Sequence, residues 1–155
     1  MTEFLEKWLP GLLYPIVASY LTARWSFRKF YSEKWWDRKE KAYTEIIEAL
    51  YDLIQYCEIE KEDYGNGGGY AKEKLKELGE RYSASYWKIK RAAEIGAFVI
   101  SPKAAEVLQQ LVERPQLDWN SNPPWDIYAA DYQCYKAALE SIRVCAREDL
   151  RSAHA

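Results

Sequence analysis

The side chains able to carry chemistry are few, and their spacing limits what they can do. There is one histidine, His154. Within a single protomer that excludes every mechanism needing a histidine pair or a His-rich metal site. Cys57, Cys134 and Cys145 form an odd set with neither CxxC nor Cys/His ligand spacing, and read as reduced thiols in a helical core rather than a secreted disulfide framework. Glu58, Glu60, Glu62 and Asp63 crowd one short stretch. Without the glycine and carboxylate spacing of a calcium loop they read as a solvated acidic face, with a cation or partner site as the alternative. Arg24, Arg28, Lys29, Lys34, Arg38, Lys39 and Lys41 are interleaved with Trp25, Phe30, Trp35 and Trp36, a mixture suited to anionic lipid headgroups, with RNA as the alternative ligand. No Walker loop, GxGxxG, nucleophile elbow or metal motif occurs, so no cofactor or metal is expected and the chain is not expected to be an enzyme. A formal net charge of -2 over 155 residues also argues against a surface that wraps nucleic acid.

These groups need elements to hold them, and the first is apolar. Residues 8–23 carry no charge and as a helix would rise about 24 Å, slightly less than a hydrocarbon core of about 30 Å. Flanking Phe4, Leu5, Lys7 and Arg24, with Trp8, Trp25 and Phe27 at belt positions, lengthen it into a transmembrane helix. An amphipathic helix lying on the membrane, or a core helix, is the alternative, and Pro10 and Pro15 weaken a perfect span. Glu3 and Glu6 precede the run and no A-x-A site follows, against a cleaved signal peptide. Arg24, Arg28 and Lys29 follow without an acid, which orients the chain N-out with its bulk cytoplasmic. Gly11, Pro15, Ala18, Ser19, Thr22 and Ser26 fall near one face, where small residues let neighbouring helices approach.

Residues 18–64 contain neither Gly nor Pro, so the span is expected to continue into the soluble part as one rod. Trp36, Tyr43, Ile46, Ile47, Leu50, Leu53, Ile54 and Cys57 keep three- and four-residue spacing along it. A Gly-rich turn follows, then a helix over residues 70–97 with Leu75, Leu78, Tyr82, Tyr86, Ile89, Ala93 and Gly96 inward, and Gly79 placed for close packing. Ser101 and Pro102 start a short third helix with Leu108, Leu111 and Val112 inside. After a loop over residues 115–124, a fourth begins near Trp125 and buries Tyr128, Tyr135, Ala138, Leu139, Ile142, Cys145 and Ala146. The expected fold is all-α: a membrane anchor with its basic segment (residues 1–30) leading into a cytoplasmic up-and-down bundle of about four helices (residues 31–155).

The segment Ser32-Glu-Lys-Trp-Trp-Asp-Arg-Lys-Glu-Lys-Ala-Tyr-Thr-Glu-Ile-Ile-Glu-Ala-Leu50, together with Gly96-Ala-Phe-Val-Ile-Ser-Pro102, resembles a group of small bacterial membrane-anchored proteins of unassigned function. That resemblance implies a bacterial inner-membrane location and no particular activity. In layout alone, a spanning helix continuing into a helical bundle also resembles the membrane accessory protein of Cas13b-type CRISPR systems, which implies a ring-shaped pore in antiphage defence. Arg147-Glu-Asp-Leu-Arg-Ser-Ala-His154 resembles the Arg-x(4 to 6)-His signature of HEPN ribonucleases. That resemblance implies that Arg147 and His154 of two protomers meet at an RNA phosphate; the alternative is that His154 is an ordinary terminal residue.

Three functional expectations follow. The first is an oligomeric membrane protein, a pore-forming effector or accessory in phage defence, with Gly11, Ala18 and Thr22 packing neighbouring helices, Tyr14 or Tyr20 near the pore, and Arg24, Arg28 and Lys29 on lipid headgroups. The second is a non-enzymatic tether that binds a cytoplasmic protein through Trp119 and Trp125, tryptophan being a common binding anchor; those residues can equally cap the bundle. The third is a HEPN-like RNase.

Overall fold

The computed structural model describes the backbone of residues 2–65 and 67–152, and the side chains of residues 19, 20, 22, 24–26, 33–65, 67–96 and 98–151. Among the described residues all regular structure is helical: α1 Thr2–Gly65, α2 Lys72–Ile95, a 3-10 turn Gly96–Phe98, α3 Pro102–Glu113 and α4 Pro124–Ser152. The chain divides into two units, Met1–Asp37 and Arg38–Ala155. In the first, the described side chains of Tyr20, Trp25 and Trp35 are exposed. Among the described residues no helix is long and apolar enough to cross a membrane. Of residues 8–23 only 19, 20 and 22 have described side chains, so the expected span falls outside them.

The second unit is a helical bundle whose core follows the spacing of its apolar residues. On α1, Tyr43, Ile46, Ala49, Leu50, Leu53 and Cys57 are buried at three- and four-residue intervals, one face of a 3.6-residue helix. The turn after α1 is built on Asp63, whose carboxylate accepts the Gly69 N–H at 2.7 Å and the Tyr70 N–H at 3.0 Å. Gly67 and Gly68 have φ of 73° and 87°, the left-handed region that a Cβ disfavours. Asp63 therefore has a local structural use that its position in an acidic run did not announce.

The helices alternate in direction. Asp52 on α1 bonds Arg81 and Ser85 of α2, while Ala42 and Ile46 of α1 share a cleft with Ala92 and Ile95 at the other end of α2; the pair is antiparallel. Arg114 just past α3 pairs with Asp131 near the start of α4, and Lys103 at the start of α3 pairs with Glu148 near the end of α4. α4 runs back along α1, from Tyr128 beside Tyr56 to Asp149 beside Tyr43. This is the up-and-down arrangement, which buries every apolar stripe with short connections.

Two boundaries differ from expectation. α2 begins at Lys72 rather than residue 70, because the Tyr70 N–H is held by Asp63. It ends at Ile95, where the chain tightens and the N–H groups of Val99 and Ile100 both donate to the Gly96 carbonyl at 2.8 Å. That turn swings Ile100 into the core and delivers Ser101, whose Oγ accepts the Ala104 N–H at 3.3 Å as the cap of α3, with Pro102 in the first turn. Gly79 has room above it, since an added Cβ would lie 3.9 Å from Tyr56; the close approach expected there does not occur. The core also takes in Ala49, Ser85, Ile100, Ala104, Ala105 and Ile127, which the reading of the stripes omitted.

Candidate functional site

At the end of the bundle formed by the last turns of α1, the first half of α2 and the start of α4, aromatic rings replace aliphatic packing. Tyr56 meets Tyr82 at 4.5 Å between centroids and Tyr128 edge-on at 6.0 Å. Tyr82 also faces Tyr135 edge-on, and their hydroxyls bond at 2.9 Å. Such offset and edge contacts place positive ring edges on negative faces. Arg114 lies over the Tyr135 ring at 4.7 Å, donates to Asp131 at 2.7 Å and caps the Leu111 carbonyl at 2.7 Å. The guanidinium thus carries three tasks, and truncating it would leave both a carboxylate and a ring face without a partner.

Trp119 and Trp125 stand on this layer. Trp119 packs edge-on against Tyr128 at 5.6 Å and is 56% exposed. Trp125 is 44% exposed, with Lys61 Nζ 5.4 Å from its ring centre. Beneath it lies Gly65, where a Cβ would come within 2.9 Å of Trp125 Cζ3, so the ring rests on the helix backbone. The adjoining loop is set by Asp118, which accepts the Asn120 N–H at 3.1 Å and the Ser121 hydroxyl at 2.7 Å. These donors hold its carboxyl below the usual carboxylate range. Both tryptophans therefore cap the bundle and also present a held, part-exposed aromatic pair.

The opposite end is organised by a carboxylate. Asp149 of α4 accepts from the Tyr43 hydroxyl of α1 and from the Ser101 N–H at 3.0 Å, with Lys39 Nζ at 3.9 Å. Because the single Tyr43 proton is committed to Asp149, the Ser101 hydroxyl donates to Tyr43 Oη across 3.2 Å. Burial, with the Asp149 bond, pushes Tyr43 up to about 12. It is a neutral donor there and cannot serve as a base near neutrality. Ser101 Oγ also accepts the Ala104 N–H as the cap of α3, so this triad fastens α1, α3 and α4 together.

The phenols of the ring layer and the Cys57 thiol follow the same pattern. Burial raises Tyr56, Tyr82, Tyr128 and Tyr135, and pushes the Cys57 thiol up to about 12. Cys57 and Cys145 are buried and Cys134 half-buried, all as free thiols, in keeping with reduced cysteines of a helical core. A thiol held protonated is a poor nucleophile. Among the described residues no group of three or more His, Cys, Asp or Glu side chains could hold a metal ion.

The other residues singled out from the sequence divide clearly. Tyr20, Thr22 and Arg24 are exposed in the N-terminal unit. Gly11 and the side chains of Tyr14, Ala18, Arg28 and Lys29 fall outside the described residues, as does His154. Arg147 is exposed on α4. Reading the sequence missed the Tyr43–Ser101–Asp149 tie and the Arg114–Asp131–Tyr135 cluster. Tyr43, Ser101 and Asp149 lie far apart in the chain, Arg114 comes to Asp131 and Tyr135 from beyond the end of another helix, and only the serine-proline helix start gave a signal for one of these residues. No protein family, curated protein or solved structure matches the chain.

Proposed function

We propose that this chain is a single-pass protein of a bacterial inner membrane, N-terminus outside, whose cytoplasmic bundle works without catalysis by docking a protein partner through Trp119 and Trp125. The observation that carries this reading is the pair itself: two large rings, each part-exposed and each seated on a fixed neighbour, Tyr128 in one case and the Gly65 backbone in the other. Rings held this way lose little conformational entropy when a partner covers them. Lys61 beside Trp125 favours a partner surface that includes a carboxylate. The test is affinity capture with the full-length protein in mild detergent. Partners retained by the parent should be lost by the Trp119→Ala/Trp125→Ala double variant, and retention by both would reject the surface.

The second reading is an oligomeric pore in antiphage defence. It is favoured by the uncharged run over residues 8–23, by the small residues Gly11, Ala18 and Thr22, and by exposed Tyr20. In it Tyr14 or Tyr20 approaches the pore, and Arg24, Arg28 and Lys29 bind lipid headgroups. Light scattering in mild detergent decides first, since a strict monomer ends this reading. A discrete oligomer would make dye release from liposomes the next assay, with release weakened by Gly11→Leu. The HEPN-like reading stands third, and RNA cleavage that survived Arg147→Ala and His154→Ala would remove it.

A further inference from the structure

α2 carries a ridge that the bundle does not use. Trp87, Arg91 and Ile95 recur at four-residue spacing on its outer face, away from the buried Leu78, Ser85 and Ile89. Trp87 is 61% exposed, Ile95 56% and Phe98, in the turn that follows, 85%. Beside the ridge, between α2 and α1, lies a cleft of about 170 Å³ walled by Ala42, Ile46, Ala92, Gly96 and Ile100, with room for one large apolar side chain. The charges around it are uneven. Lys88 on the cleft rim and Arg91 on the ridge are exposed and, among the described residues, make no ion pair. Glu45 on the opposite rim is paired with Lys41 of its own helix at 3.9 Å, and Glu94 lines the other flank of α2, towards α3. Lys90 Nζ, 5.0 Å from the Trp87 ring centre, adds a third base.

We infer that this ridge and cleft form a second docking surface, whose occupant is an acidic amphipathic helix of a partner protein. One apolar side chain of that helix enters the cleft, its apolar face covers Trp87, Ile95 and Phe98, and its carboxylates meet Lys88 and Arg91. Three observations select this ligand. From Trp87 to Ile95 the ridge is about 12 Å long at about 1.5 Å per residue, the reach of a little more than two helical turns with apolar residues at i, i+4 and i+7. Ala42, Ala92 and Gly96 in the cleft wall are small, so a partner backbone can come close enough for its side chain to enter. Lys88 and Arg91 can take carboxylates without giving up an existing ion pair, whereas a two-fold contact between copies would bring like bases together near its axis. Every residue of the surface belongs to the unit Arg38–Ala155, so it is independent of the anchor, and it lies at the other end of the bundle from Trp119 and Trp125.

The probes are three fluorescein-labelled synthetic peptides: a helix with leucines on one face and glutamates on its flanks, the same peptide with lysine for glutamate, and a scrambled form of the first with no apolar face. Fluorescence anisotropy is read against full-length protein in mild non-ionic detergent, with empty micelles as the blank. The glutamate peptide should bind, and the lysine and scrambled forms should be at least about tenfold weaker. Lys88→Glu/Arg91→Glu should weaken the glutamate peptide about tenfold and strengthen the lysine peptide, an exchange that a misfolded variant cannot give. No binding of the glutamate peptide at about 1 mM, or equal binding of all three, would overturn the inference. So would a loss on Trp119→Ala/Trp125→Ala that the charge reversal does not produce, since the peptide would then sit at the other end of the bundle. A single-stranded RNA that displaces the peptide from the parent would overturn it in favour of nucleic acid. A dimer in light scattering that Trp87→Ala/Phe98→Ala disperses would overturn it in favour of a second copy.

Discussion

The two ends of the bundle join their helices by different physics. At the Tyr43 end one carboxylate gathers a phenol, a backbone N–H and an ammonium from α1 and the start of α3. At the Trp125 end the corresponding contacts are ring on ring, with Arg114 and Lys61 over ring faces. Hydrogen bonds are directional and costly to leave half made, whereas ring packing is broad and its loss scales with the volume removed. The first end is thus sensitive to single polar atoms, the second to shape.

The largest effect should come from the ring end. Tyr135→Ala removes a buried ring under Arg114 and Tyr82 and should cost about 3–5 kcal/mol in urea unfolding, while Tyr135→Phe should cost only about 1 kcal/mol. Equal losses would mean that the hydroxyl pair, not ring volume, holds this end, and the contrast between the ends would break. Next is Tyr43→Phe, expected to cost about 1.5–3 kcal/mol near neutrality because a donor to a carboxylate is lost. Its pH dependence sharpens the comparison. The folded Tyr43 pKa is raised from 10.0 to about 12, so its contribution is fully present below pH 10 and is lost as pH rises through 12. Tyr82, Tyr128 and the other raised tyrosines give the parent a further alkaline decline. The variant should therefore lose stability less steeply than the parent between pH 10 and 12, and parallel curves would show that Tyr43 is not held neutral by this site. The smallest effect is Gly79→Ala, a gain of about 0.5–1 kcal/mol, since the added methyl meets only Tyr56 at ordinary contact distance in a helix interior. A loss on urea unfolding would show that the ring layer tolerates no addition even at its edge.

Much of the fold was legible before any coordinates. The three- and four-residue spacing through Tyr43, Ile46, Leu50, Leu53 and Cys57, and again through Tyr135, Leu139, Ile142 and Ala146, is a local signal that follows from 3.6 residues per turn. Ser101-Pro102 marked a helix start for an equally local reason. Boundaries set by distant groups were not legible. The first turn of α2 was misplaced because Tyr70 answers to Asp63, and its last because Gly96 accepts from two residues beyond it. The small core residues Ala49, Ala104 and Ala105 went unnoticed since hydrophobic weight, not closeness of helix backbones, is what a stripe reveals.

The candidate sites divide the same way. Trp119 and Trp125 stood out by type, and their use as cap and platform together depended on Gly65 lying under one ring and Tyr128 beside the other. The sequence by itself determined the all-helical class, the direction of the main apolar faces and the presence of a single histidine, because periodicity and composition are properties of short windows. The tertiary structure alone decided that Asp149, Tyr43 and Ser101 share one hydrogen-bond network, that Tyr56, Tyr82, Tyr128 and Tyr135 form one layer, and that Trp87, Ile95 and Phe98 are left uncovered. Those outcomes depend on which side chains meet after the helices pack, and no window of sequence contains both partners.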